Sequence, residues 1–196
     1  MKKLVFYSAL CIFFLLSACG NKKEENAAGS TESEKVCSKN SHFSLEINKE
    51  KLNNNEPFSF KTNDFEIRSV VYSMKSDSVA DIRISNYSSE EFAGSLNDEQ
   101  IDICISLYSK NGKRLKPGYY SYLDFDADYY SKVNIVTPKG VIWFNWVSGM
   151  PVQGGVEVYQ IDNVAVCGVA DLTVDKLDNK SIGVVKLSGN FFAEAK

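Results

Sequence analysis

The sequence predicts an all-β domain, an antiparallel β-sandwich of jelly-roll type, with a barrel as second choice. Three observations carry this. Apolar residues recur with period two in several runs, the mark of strands with one buried face. Turn formers interrupt those runs at short intervals, as at Asn53-Asn54-Asn55, Pro117-Gly118, Pro138-Lys139-Gly140 and Gly154-Gly155. No stretch carries a sustained helical stripe with caps. The best helix candidate, Ser88 to Gln100, is too rich in Ser, Gly, Asn and Asp to run far.

The elements follow in order. Phe43, Leu45 and Ile47 alternate with Ser44 and Glu46, giving a strand over 43–48. Further strands are expected over 57–61, 64–74 and 79–87. Ile101, Ile103, Ile105 and Leu107 alternate with Asp102, Cys104 and Ser106, which places a strand over 100–109. Asn111-Gly112 is the sharpest hairpin signal, because a type I′ turn needs positive φ at both central residues. It is expected to join 100–109 to a strand over 114–124. Strands over 132–137, 141–147, 155–161, 164–174 and 181–193 complete the set. No repeat of fixed period is present, which argues against a propeller or solenoid.

The chain has 196 residues, but its first 36 read differently from the rest. Lys2 and Lys3 precede an apolar run from Leu4 to Leu15, too short to span a bilayer but suited to a signal peptide over 1–18. Leu16-Ser17-Ala18-Cys19 follows at once and resembles the lipobox of bacterial lipoproteins. The resemblance implies that Cys19 is lipidated and attaches the protein to a membrane through acyl chains. Gly20 to Val36 contains no aromatic residue, so 19–36 reads as the anchor and a flexible tether. Gly20 after the cysteine resembles lipoproteins sorted to the bacterial outer membrane. Lys22-Lys23-Glu24-Glu25 resembles the short export signals of some surface-exposed lipoproteins; periplasmic and surface faces both stay open. Residues 37–196 are then the folding domain. It carries 17 Lys/Arg against 21 Asp/Glu and only three arginines, without the basic footprint of a nucleic-acid binder. Near its end, Val166 to Asp171 and Leu187 to Ala193 resemble the closing hairpin of many bacterial lipoproteins.

With Cys11 in the signal segment and Cys19 lipidated, Cys37, Cys104 and Cys167 remain for an oxidising compartment. All three pairings are open; Cys37–Cys167 is slightly preferred, because Cys104 faces away from the isoleucines of its strand. There is no Cys-x-x-Cys, which favours a structural staple over redox chemistry.

The densest local chemistry runs from Tyr119 to Tyr130. If extended, Asp124, Asp126 and Asp128 share one face and offer hard oxygen ligands to Ca²⁺. The match to an EF-hand loop fails, with Tyr129 where the turn glycine belongs and Ile135 where the bidentate glutamate belongs. A solvated polar loop is the plainer reading. Tyr119, Tyr120, Tyr122, Tyr129 and Tyr130, with Trp143 and Trp146, are also the materials of a sugar-binding face. The two tryptophans have opposite strand parity, so one of them is expected to be core.

No cofactor motif and no Gly-x-Ser-x-Gly, His-Glu-x-x-His or phosphate-binding loop occurs, and His42 is the sole histidine. The expectation is a non-enzymatic, lipid-anchored binding or interaction module of the bacterial envelope, its partner an envelope protein or a glycan. A glycan-binding accessory lipoprotein and a carboxylate-dependent hydrolase are the alternatives.

Overall fold

The computed structural model describes residues 37–49, 57–88, 95–143, 153–174 and 183–195. The signal segment, Cys19, the tether and Trp146 lie outside the described residues, and so does the side chain of Trp143. The strands are β1 (His42–Lys49), β2 (Phe58–Thr62), β3 (Ser69–Ser76), β4 (Val79–Ser85), β5 (Asp102–Ser109) and β6 (Gly118–Tyr122). They continue with β7 (Tyr129–Thr137), β8 (Gly140–Trp143), β9 (Gln153–Ile161), β10 (Ala165–Val174) and β11 (Val185–Glu194).

All belong to one curled sheet in the order β2-β1-β11-β10-β9-β6-β7-β5-β4-β3, with β8 added to β7. The curl brings edge strand β3 back against the far half. Tyr72 bridges Ala195, just beyond β11, and its hydroxyl donates to the Asp162 carbonyl at 2.7 Å. The result is a half-barrel around one core, so the all-β expectation holds in a barrel-like form. Phe43, Leu45 and Ile47 of β1, Ile82 and Ile84 of β4, Ile103 and Ile105 of β5, and Val156, Leu172 and Leu187 meet inside it. The period-two runs of the sequence are the inward faces of these strands.

Tight curling needs backbone to approach aromatic rings closely. Gly189 lies opposite Phe43 in the β1–β11 ladder, and Gly168 lies opposite Phe191 in the β10–β11 ladder. A Cβ at Gly189 would meet the His42 carbonyl and the Phe43 ring; one at Gly168 would meet the Glu157 carbonyl and the Phe191 ring. Glycine is the residue that lets those large rings lie across the neighbouring strand. β10 and β11 pair antiparallel from Ala165↔Glu194 to Val174↔Val185.

Four expectations are corrected. Asn111 and Gly112 do adopt positive φ, at 59° and 67°, but they do not close a hairpin between paired strands. β7 lies between β5 and β6, pairing antiparallel with the former and parallel with the latter. The turn residues fixed the local backbone, while ladder partners at long range decided where the chain went. The sheet is therefore mixed rather than wholly antiparallel. Strand 64–74 also starts late, at Ser69, because Thr62 Oγ1 and Asp64 form a local turn and Phe65 tucks into the core. Strand 114–124 shrinks to β6, which begins just after Pro117 and ends before Leu123 at φ 50°.

Tyr120 and Tyr122, read as ligand-facing candidates, are core residues instead. Their rings are buried, the Tyr120 hydroxyl donates to the Lys116 carbonyl at 2.8 Å, and that of Tyr122 to the Val133 carbonyl at 3.2 Å. Burial pushes the Tyr120 phenol up to about 12 and that of Tyr122 higher still. Both phenols are neutral in folded and unfolded chains below the ordinary tyrosine pKa of about 10, so their contribution is complete there. Above it the unfolded chain ionises first, so stability is expected to fall from about pH 10 until the folded phenols ionise. Urea midpoints measured from pH 8 to 12 check this: Tyr120→Phe should flatten the decline, and a constant wild-type midpoint would contradict it.

Candidate functional site

The outer face of β4, β5, β7 and β6 collects the chemistry that the core excludes. On β5, Asp102, Cys104, Ser106 and Tyr108 point away from the isoleucines. On β7, Tyr130, Lys132, Asn134 and Val136 do the same. The ladder sets Tyr108 beside Tyr130, Ser106 beside Lys132 and Cys104 beside Asn134.

The connection from β6 to β7 is only six residues long, where a parallel pair ordinarily takes a dozen or more. It therefore folds back over this outer face and lays Phe125 there. Phe125 meets the Tyr130 ring edge-on at 5.2 Å, and Tyr130 stacks on Tyr108 at 5.0 Å with planes 8° apart. Lys132 Nζ lies 4.9 Å from the Tyr108 centroid and 5.7 Å from that of Phe125, close enough for cation–π attraction. Tyr119, on the same face of β6, is 57% exposed and Phe125 is 55% exposed. Tyr129 turns the other way, edge-on to Tyr120 at 5.5 Å and partly buried against the core. The predicted tyrosine segment thus splits: Tyr119 and Tyr130 face out, and Tyr120, Tyr122 and Tyr129 face in.

The three aspartates do not form the extended row that the Ca²⁺ reading needs, because 123–128 is a turn. Asp124 Oδ1 accepts from the backbone N–H groups of Asp126 and Ala127, and Asp128 pairs with Lys113 Nζ at 2.5 Å. Lys113 holds the Asp128 carboxyl below its usual range. Among the described residues no three acidic, histidine or cysteine side chains converge as metal ligands.

A second cluster sits farther along the face. Asp102, 3% exposed, accepts from Arg83 Nη2 at 2.6 Å, Ser85 Oγ at 2.5 Å and the Tyr87 hydroxyl at 2.9 Å. Its hydrogen bond is the first cause holding the Arg83 guanidinium far above its ordinary range. The cluster floors a cavity of about 340 Å³ lined by Arg83, Ser95, Leu96, Asp102, Val136, Thr137 and Pro138. Cys104 lies one row away. Burial first, then the nearby Asp102 charge, pushes its thiol up to about 11, which keeps it protonated and a poor nucleophile at neutral pH.

Cys37 and Cys167 form a disulfide, with Cα atoms 5.8 Å apart, and Cys104 is the free thiol among the described residues. The bond fastens the start of the domain to β10. Sequence parity placed Asp102, Cys104 and Ser106 opposite the isoleucines of β5, but nothing local pointed to Arg83, Tyr87, Tyr108 or Phe125 as parts of this face. Compared with protein-family models, curated proteins and solved structures, the chain matches none.

Proposed function

We propose that this chain is a lipid-anchored protein of the bacterial envelope whose domain is a non-enzymatic binding or interaction module. The observation that carries the binding reading is the outer face, where Tyr108, Tyr130 and Phe125 pack together on β5, β7 and the loop before β7, and Tyr119 is exposed on the same face of β6. Aromatic rings with polar tips are the usual anchors of recognition surfaces. The Cys37–Cys167 bond fits an exported protein, since disulfides persist in oxidising compartments. The cavity beside Arg83 holds a single carboxylate, Asp102, among the described residues, and three donors already engage it.

On the lipoprotein reading, Cys19 carries the acyl chains and the polar segment after it spaces the domain from the bilayer. Membrane fractionation with alkyne-palmitate labelling tests the anchor. The wild-type chain is expected in the membrane fraction and labelled, and Cys19→Ala soluble and unlabelled. A labelled, membrane-bound Cys19→Ala variant would rule out lipidation at the lipobox.

A glycan is the second reading, and the aromatic row is what favours it. Binding to any polysaccharide on an array would support this reading; none would leave an envelope protein as the partner.

A further inference from the structure

Tyr119 differs from the other outward-facing rings. Tyr108 and Tyr130 stack on each other, and Lys132 lies over Tyr108 and Phe125. The Tyr119 ring instead lies down on the sheet. Its Cα is paired with Glu157 on β9, yet its hydroxyl end reaches Gly155, where a Cβ would stand only 2.7 Å from the phenolic oxygen. One ring face is therefore turned toward backbone, and with 57% of the residue exposed the other is open to solvent. Gly155 is also the register partner of Asp171 on β10, which is exposed. Asp171 thus stands across Gly155 from the ring's hydroxyl end, and burial first, then the charges of Asp171 and Glu157, hold the phenol above its ordinary range.

We infer that Tyr119 and Asp171 form a stacking subsite for an uncharged pyranose ring. This rests on the glycan reading above and adds the contact point and the charge class. A flat ring supported from beneath by glycine presents its π face to the C–H face of a sugar without having to be ordered on binding. Carboxylate oxygens beside it accept hydrogen bonds from sugar hydroxyls, which are strengthened by the charge. The Asp171 charge repels a uronate or a sulfated sugar, so selectivity against acidic glycans is built into the subsite.

Native affinity electrophoresis of the full chain tests this in gels containing xylan, galactomannan, soluble starch or polygalacturonate. Retardation is expected in at least one neutral polysaccharide and not in polygalacturonate. Tyr119→Ala should weaken it about tenfold, the cost of truncating one anchoring ring, while Tyr119→Phe stays within about threefold. Asp171→Lys should relax the exclusion of polygalacturonate, a gain that misfolding does not mimic. If the wild type binds a neutral polysaccharide but Tyr119→Ala leaves this unchanged and Tyr108→Ala abolishes it, the subsite is wrong and the glycan reading stands. Retardation by polygalacturonate alone overturns the charge class. Retardation by none of the four overturns the subsite, and the array decides separately whether any glycan is bound.

Discussion

Replacing Cys37 and Cys167 together by alanine is expected to lower the domain's stability by about 5 kcal/mol, more than any other change to this fold discussed below. The bond joins residues 130 positions apart. Its absence returns loop-closure entropy to the unfolded chain, and that entropy grows with the logarithm of the loop enclosed. Alanine is the appropriate replacement because Cys167 is 1% exposed, and serine would bury a hydroxyl there. For a domain of this size the melting temperature should fall by roughly 10–20 °C. Cys104→Ala is the control, and a shift of only a degree or two is expected. Differential scanning calorimetry of the three chains decides the matter. A double variant melting within about 2 °C of the wild type, a shift worth well under the expected loss, would mean that the unfolded chain does not regain the loop-closure entropy assigned to the bond.

How much of this was legible beforehand follows from the range of the interactions. Strand positions were readable because burial imposes period two residue by residue: the alternation at Phe43, Leu45 and Ile47, or at Ile103, Ile105 and Leu107, is itself the packed face. The insertion of β7 between β5 and β6 was not readable, since it depends on which ladders form between distant segments. Asn111-Gly112 carried no information about that choice. The tyrosine segment was visible as a concentration of chemistry. Its division into core and surface depended on where β6 begins, and Tyr119 and Tyr120 exchange faces if that register moves by one residue. Glycines told more than their turn propensities implied. Gly155, Gly168 and Gly189 each lie under an aromatic ring from the neighbouring strand, a pairing that appears only once the register is known. The Asp102 cluster was hidden for the same reason: Arg83 and Tyr87 come from across the β4–β5 ladder and the turn beyond it.

That cluster yields the second large effect. Asp102→Ala is expected to cost about 3 kcal/mol, because it removes the one acceptor that three donors share. Ser85 and Tyr87 are 5% and 4% exposed, so neither hydroxyl regains water easily when the carboxylate goes. The Arg83 side chain is 47% exposed and can rehydrate in part, which keeps the cost below that of a fully buried ion pair. Asp102→Asn should be milder, about 1–2 kcal/mol, since its amide oxygen still accepts while its NH₂ must find Ser85 Oγ or the Tyr87 oxygen. The exposed pair of His42 and Asp64, 3.1 Å apart with side chains 56% and 85% exposed, supplies the contrast. Asp64→Ala should change stability by under about 0.5 kcal/mol, as surface pairs generally do. Urea unfolding of the three variants measures the ranking, and Arg83→Met in a double-mutant cycle with Asp102→Asn isolates the ionic part from the hydroxyl bonds. If Asp102→Ala unfolds at the wild-type midpoint, the cluster is not what braces the floor of the cavity. If alanine and asparagine cost the same, the charge rather than the acceptor geometry is what Ser85, Tyr87 and Arg83 are arranged around.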